Sequence, residues 1–340
     1  MSISPHMWSF AEKHKRFYKV KECLAASDRS PCAGQIVRAH MIARSQLSQI
    51  ARNGHVLAVP NETIAVMRMQ RTGFEAKEIG VGEFSTLNCF CAEHDKTLFA
   101  PVEDAPLTFS AEQLTLLHYR AIAAEFYQRR NQLESAASEL DWESDEPLNF
   151  RFAWIYRWSR KAFEEAHYAL IGTERLIAAR HFRGLGRLIV RFDAAPAVMA
   201  AGAFRPNYDF AMQRVQNLAG RCSYVAMHLL SADGAAALAF TWLRGDFAAE
   251  RFARTLATRP RDQIASLAVQ CAFEHLEHTC TSHTWWDNLK RPMRAALLER
   301  VRRANSLGYR RSYRCLSYRM QYADWPVADM RGSPRNLTSH

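Results

Sequence analysis

The sequence contains no long apolar run, little glycine or proline, and few lysines among its basic residues. Its 340 residues include 14 Gly and 12 Pro, and 48% are hydrophobic, which is typical of a globular chain and excludes collagen-like and low-complexity classes. No apolar segment approaches the roughly 20 residues that span a bilayer, and the N-terminus lacks the apolar core of a secretion signal. We therefore expect a cytoplasmic protein that does not bind membranes.

A cytoplasmic location changes the meaning of the eight cysteines. Disulfides are rare in a reducing compartment, so these thiols are better candidates for metal ligands or for buried apolar side chains. Four of them, Cys23, Cys32, Cys89 and Cys91, lie within the first 91 residues. The N-terminal part of the chain is therefore the expected location of a metal site.

Positive charge is concentrated near the C-terminus. The formal net charge is +11, and residues 201–340 hold 20 basic and 11 acidic side chains, against 13 and 11 in residues 1–105. Residues 290–319 contain ten basic residues, one acid and several tyrosines, which favours contact with nucleic acid. A solvated arginine face would give the same pattern. The residues expected to contact nucleic acid, DNA rather than RNA, are Arg302, Arg303, Arg310, Arg311 and Arg314.

Composition divides the chain into three predicted units of an α+β protein. Residues 1–105 contain several glycines and prolines, which interrupt helices and strands, and they predict hairpins with one or two short helices. We expect these residues to form a small zinc-stapled module, whose ligands are described below. Residues 106–180 predict a helical connector, with helices at 110–138 and about 150–180. Residues 181–340 predict a mixed α+β domain with a strand at 188–192, a hairpin around the SADG turn, and helices at 246–258, 260–279 and 284–304.

Two pairs of soft metal ligands lie in the N-terminal unit. Cys23 and Cys32 form the first pair, and Cys91 and His94 form the second with the two-residue spacing of a tetrahedral structural zinc site. Cys89 is the spare ligand if His94 is needed elsewhere. Independent buried thiols are the alternative, because Cys23 and Cys32 are further apart than in a tight zinc knuckle.

Between the two pairs, IVRAHMIARSQL places a histidine after an apolar, β-compatible run and before a polar turn. This arrangement of residues about 20–100 resembles the zinc-stapled branch of the HNH, or His-Me finger, endonucleases. The resemblance implies a treble-clef-like ββα unit that holds one catalytic divalent metal, with a separate structural zinc site. It also implies that the histidine at the end of the first strand is the general base that activates water.

Carried over onto this sequence, the resemblance makes His40 the catalytic histidine and Asp95 the ligand of a catalytic Mg²⁺ or Mn²⁺. Asn88 matches the middle residue by type, and Thr86 matches it better by spacing. The sequence departs from the family at Ala39, where an acid often precedes the histidine, and at Asp95, where the family often has a histidine. Asp is a competent oxygen ligand for both metals.

The function that follows is a metal-dependent endonuclease, in the setting of a bacterial defence or mobile-element effector. His40 Nε2 would accept a proton from water, which would attack a phosphodiester in line. The larger C-terminal domain would bind substrate or a protein partner. The alternative is a non-catalytic zinc-containing subunit that binds nucleic acid or assembles a complex.

A second cluster of potential ligands occurs at residues 271–286. Cys271 and His275, like Glu274 and His278, are four residues apart and so share a helix face, which a metal could use. A buried thiol and helix-surface histidines beside a packed tryptophan pair are the other interpretation.

Overall fold

The computed structural model describes residues 20–25, 32, 34–59, 75–140, 147–305 and 309–332. Helices and strands are mixed along the chain, which confirms the predicted α+β class. The strands are β1 (Ile36–His40), β2 (His55–Ala58), β3 (Lys77–Gly80), β4 (Thr86–Cys91), β5 (Leu185–Phe192), β6 (Val198–Phe204), β7 (Val225–Ala232), β8 (Ala235–Leu243), β9 (His278–Thr281) and β10 (Val327–Gly332). The α-helices are α1 (Arg44–Ser48), α2 (Ala92–Glu103), α3 (Ala111–Ala137), α4 (Pro147–Ala178), α5 (Phe247–Ala257), α6 (Arg261–His275), α7 (His283–Asn288) and α8 (Arg291–Ala304).

Eight of the ten described strands form one antiparallel sheet, in the order β10-β5-β8-β7-β6-β9-β2-β3. The predicted hairpin is confirmed at its centre, where β7 pairs with β8. Asp233 and Gly234 turn the chain between them with φ values of 53° and 79°. Positive φ at both turn residues matches the twist of the flanking strands, which is why an Asp-Gly pair serves here.

The central strands are buried on both faces, which explains their continuous apolar sequences. Phe240 of β8 packs in the core on the side of α5 and α6, whereas its neighbour Ala239 packs with Leu114 of α3 on the other side. Antiparallel strands that face water on one side alternate apolar and polar residues, and these do not because neither face is free.

The two long connector helices occur as predicted. Ser110 caps α3 by accepting from the Gln113 amide, while the Gln113 side chain accepts from the Ser110 amide in return. Helix α4 packs along α3, with the rings of Phe126 and Phe163 5.2 Å apart. Among the described residues, no helix has the length and apolar character needed to cross a membrane.

Two C-terminal helices differ from the prediction. The helix predicted at 260–279 ends at His275, because Leu276 adopts extended geometry and the chain continues as β9, which pairs with β6. The helix predicted at 284–304 is two helices, α7 and α8, separated at Leu289 and Lys290. Pro292 lies in the first turn of α8, where a proline is tolerated because its missing N–H has no helical partner anyway.

The remaining strands, β1 and β4, form a separate two-stranded antiparallel ribbon that runs directly into α2. The chain between them leaves the ribbon, contributes β2 and β3 to the edge of the large sheet, and returns. Hydrogen bonds between β2 and β9 therefore join the predicted N-terminal unit to the C-terminal one. The large sheet thus contains strands from both sides of the predicted boundary at residue 105.

Two histidines between α3 and the large sheet make the fold sensitive to acid. His118 and His228 are fully buried, and burial lowers the pKa of each to about 3. Unfolded histidine binds a proton near pH 6.5, so below that pH the unfolded state takes up protons that the native state excludes. We expect the free energy of unfolding to fall as pH decreases from 6.5 toward 3, by up to about 1.4 kcal/mol per pH unit for each histidine.

Urea unfolding at a series of pH values measures this slope. The His118→Gln variant can keep a polar contact to Thr241, whose hydroxyl lies 2.9 Å from His118 Nδ1, and it removes one titrating group. Its stability should therefore depend less steeply on pH than that of the wild type. An unchanged slope would mean that His118 does not contribute to acid unfolding.

Candidate metal centre and active site

Four side chains that sequence spacing predicted as metal ligands converge at one end of the ribbon. The ligand atoms of Cys23, Cys32, Cys91 and His94 all lie within 4.8 Å of one another. Three thiols and an imidazole are the donor set of tetrahedral zinc sites. The cluster could therefore bind a metal ion such as zinc.

Local backbone geometry brings the four ligands together. Residues 20–25 run beside β4, where the Leu24 amide donates to Cys89 O at 3.0 Å, and this places Cys23 against the end of the strand. Cys91 ends β4 and caps α2, so His94 follows in the first helical turn. His94 Nδ1 lies 3.2 Å from Cys23 Sγ and 3.3 Å from Cys91 Sγ.

The environment of the cluster also shifts the pKa values of two of its thiols, Cys23 and Cys91. Burial raises the pKa of Cys23 to about 11. Burial acts the same way on Cys91, but hydrogen bonds from the His94 amide and from the neighbouring thiols outweigh it and lower the Cys91 pKa. A Cβ at Gly34 would lie 3.0 Å from Cys91 Sγ, a contact tight enough that a larger residue there would displace the thiol by a few tenths of an ångström.

Cys89, the spare ligand of the sequence interpretation, lies outside the cluster. Its side chain is buried in the apolar core between the ribbon and α3, together with Phe90 and Phe99. Burial raises the pKa of the Cys89 thiol strongly. Cys89 is therefore a core residue, and His94 takes the fourth ligand position.

His40 ends β1 close to the predicted active site. Its Nε2 lies 3.1 Å from Val81 O, and because a carbonyl only accepts, Nε2 must carry the proton. This corrects the expectation that Nε2 would accept a proton from water: the basic nitrogen is Nδ1. The ring is half-buried, and burial lowers its pKa, which keeps the imidazole neutral at pH 7.

The two residues considered for the middle position differ in their distance from His40 along the ribbon. Thr86 is the direct cross-strand partner of His40, and its hydroxyl donates to Glu83 O at 3.0 Å. Asn88 lies two residues further, where the pairing shifts register opposite Arg38. The ribbon therefore places Thr86, and not Asn88, directly opposite His40.

Asp95 lies in the first turn of α2 beside an arginine that sequence reasoning did not include. Arg120 of α3 is 2% exposed, and its Nη2 is 2.6 Å from Glu103 Oε1 and 3.8 Å from Asp95 Oδ1. The guanidinium stacks 3.7 Å from the Phe99 ring centre. Burial raises the pKa of Asp95 and the Arg120 charge opposes that rise. Only the packing of α3 against α2 reveals this contact.

The predicted catalytic metal site has fewer potential ligands than the four-ligand cluster. Within the described part of the chain, the four-ligand cluster is the only group of three or more Cys, His, Asp or Glu ligands close enough to hold one ion. Asp95 Oδ1 is buried and makes no hydrogen bond to a described residue. It is thus a single carboxylate oxygen that lies 3.8 Å from the Arg120 guanidinium.

The second cluster predicted at 271–286 does not assemble either. Cys271 is buried in the core, and the His275 ring stacks on Phe204 with centres 4.2 Å apart. Glu274 pairs with Arg300 and Arg311 instead of a metal. Buried thiol and core histidine are the roles that the geometry gives these residues.

The arginines predicted to contact nucleic acid fall into two groups. Arg302 and Arg303 pair with Glu299, whose pKa they lower to about 2, and Arg311 pairs with the buried Glu274. The remaining two, Arg310 and Arg314, are exposed and make no salt bridge to a described residue. Arg314 and Arg319 also line a cleft of about 390 Å³ between α8 and the following segment.

With this geometry established, we compared the chain with known proteins. No family model, curated protein or solved structure matches it. The function of the chain is therefore inferred from its own residues.

Metal content tests the four-ligand cluster. We expect about one zinc ion per purified chain, lost in Cys91→Ser, because removing one thiolate leaves three ligands. Cys89→Ala, two residues earlier on the same strand, should keep its zinc because Cys89 is outside the cluster. A folded wild-type chain without metal, or equal loss in both variants, would contradict the site.

Proposed function

We propose that the protein is a metal-dependent endonuclease that hydrolyses phosphodiester bonds of nucleic acid, with His40 as general base and a structural zinc at the four-ligand cluster. The observation that carries this proposal is the order of the elements around His40. Strand β1 ends at the histidine, pairs with β4, and β4 continues into α2 through the cap residue Cys91. This order of two paired strands followed by a helix supports the ββα unit that the family resemblance implies.

The state of His40 suits a general base. Its Nε2–H donates to Val81 O, which fixes the ring and leaves Nδ1 to accept a proton from water. The water oxygen then forms a bond to phosphorus while the bond to the 3′-oxygen breaks, and that oxygen leaves with a proton from solvent. A ring that is neutral at pH 7 is ready for this step without first losing a proton.

Asp95 is the residue that would hold the catalytic Mg²⁺ or Mn²⁺. Both ions keep several water and phosphate ligands, so one or two carboxylates are enough protein ligands. Asp95 Oδ1 is buried without a hydrogen-bond partner among the described residues, which suits a group that receives a cation. The ion would stabilise negative charge on the phosphate during displacement.

Zinc at the Cys and His ligands would act as a staple. Residues 20–25 are tied to β4 by two backbone hydrogen bonds, through the amides of Glu22 and Leu24. Binding free energy at a structural zinc site adds directly to folding free energy. The ion would therefore hold this segment, the end of β4 and the start of α2 in one geometry.

One observation favours the alternative, a non-catalytic zinc-containing subunit that binds nucleic acid or assembles a complex. The Arg120 guanidinium lies 3.8 Å from the carboxylate oxygen that a catalytic metal would use, and positive charge there repels a second cation. We propose a role as a bacterial defence or mobile-element effector only for the nuclease, not for the non-catalytic subunit.

Nicking of supercoiled plasmid with Mg²⁺ or Mn²⁺ separates the two functions. General-base catalysis contributes about 10²- to 10⁴-fold, so His40→Ala should lose at least about 100-fold in nicking rate. His55→Ala removes an exposed histidine of β2 and should cut like the wild type. Zinc content and thermal unfolding should be unchanged in both variants.

Each result has a clear meaning. If His40→Ala cuts as fast as the wild type, His40 is not the general base. If the wild type binds nucleic acid without cutting it, while zinc is present, the non-catalytic function is correct.

Salt dependence of nucleic-acid binding tests the basic segment. Each phosphate contact contributes about 1 to the slope of log affinity against log salt concentration. The double variant Arg310→Gln, Arg314→Gln should therefore lower the magnitude of this slope by about 2, because these two guanidinium groups are exposed. Arg254→Gln, on α5 and paired with Glu250, should leave the slope unchanged. Equal slopes in all three proteins would remove this segment from the interface.

A further inference from the structure

A polar cavity lies on the face of the large sheet that α3 covers, and neither His40 nor Asp95 lines it. Its walls are the middle of α3, the end of β6 and the turn that joins α6 to β9. The cavity holds about 110 Å³, compared with roughly 10–15 Å³ for a single water. It is large enough for a small ligand.

Three arginines line the cavity, each held by a fixed acceptor. Arg129 donates to Glu125 at 2.8 Å, Arg205 donates to Glu165 at 2.6 Å, and Arg311 donates to Glu274 O at 3.1 Å. A guanidinium has five N–H donors, so these contacts leave donors on every one of the three. The fixed partners also hold the side chains in place before any ligand arrives.

Two histidines add further unused polar atoms. Neither ring nitrogen of His275 has a hydrogen-bond partner among the described residues, and the same is true of His278 Nε2. The His275 ring is fixed by stacking on Phe204. Burial, with Arg311 and Arg300 nearby, lowers the His275 pKa far below its usual value, so the ring is neutral and carries one N–H.

The acceptors in the cavity wall are already engaged. Glu125 accepts from Arg129, and Glu277 accepts from Gln128 at 3.0 Å. The wall therefore offers an excess of N–H donors from three guanidinium groups, whereas the charges of Arg205 and Arg311 are balanced by Glu165 and Glu274, which do not line the cavity. Buried donors without acceptors are costly, and a ligand that brings several acceptor oxygens and negative charge would satisfy them.

We propose that this cavity binds the phosphate group of a small molecule. Phosphate supplies several acceptor oxygens on one centre and pairs well with guanidinium groups. The cavity is a small recess of about 110 Å³ between helix and sheet, a volume that matches a phosphorylated small molecule better than a duplex backbone. The site is separate from the proposed nuclease chemistry and does not depend on it.

Calorimetric titration with inorganic phosphate and, in a second arm, with glycerol 3-phosphate tests the proposal and distinguishes a free ion from a phosphate ester. Arg311→Gln should weaken binding of the probe by about tenfold or more, since a charge-assisted contact is lost. The variant should still fold, because Arg300 remains 2.9 Å from Glu274. Thermal unfolding without phosphate checks this directly.

A second variant and a matched control complete the experiment. His275→Phe can keep the stacking on Phe204 while it removes the ring N–H, and it should also weaken binding. Arg261→Gln makes the same charge change as Arg311→Gln at the far end of α6, about 20 Å from His275 at 1.5 Å per residue, and should bind like the wild type. Binding of either probe with this pattern supports the site. No saturable binding of either probe by the wild type, or equal weakening in Arg261→Gln, would overturn it.

Discussion

Burial of helix α3 is the constraint on which the rest of the structure depends. Every residue from 113 to 127 is buried, so this helix has no solvent face along most of its length. It packs against the ribbon and α2 on one side, against the large sheet on another, and against α4 on a third. No strand belongs to both the ribbon and the large sheet. Helix α3 packs against both, and this packing fixes the position of one relative to the other.

Such burial requires that the polar side chains of α3 find partners inside the protein. Arg120 is the clearest case, because a fully buried guanidinium is stable only when paired. Its partners Glu103 and Asp95 both come from α2, so the ion pairs also orient the helix that carries the first-turn carboxylate. The buried His118 also has a partner inside the protein, because its Nδ1 hydrogen-bonds the hydroxyl of Thr241 in the large sheet. The electrostatics of the candidate active site are therefore set partly by a helix from outside it.

Two kinds of polar site result from this architecture. At the end of the ribbon, four ligands meet in a compact cluster whose geometry depends on β4 and the first turn of α2. Under α3, in contrast, the donors of the cavity come from four distant parts of the chain, and each of the three arginines among them pairs with a separate glutamate. The four-ligand cluster suits a metal ion such as zinc, because sulfur and imidazole donate electron pairs to a metal. The cavity suits an oxygen-rich anion, because guanidinium groups donate hydrogen bonds to oxygen acceptors.

Local sequence was sufficient for features that are themselves local. The capping box of α3, the Asp233–Gly234 turn and the approach of Cys91 to His94 each depend on residues a few positions apart, and the last two are present as predicted. Tertiary structure alone decided the partner of Asp95, the pairing of Glu274 with Arg300 and Arg311, and the entry of β2 and β3 into the large sheet. Periodicity and spacing describe which residues share a face of one element. They do not specify which faces meet, because that choice follows from the packing of the whole chain.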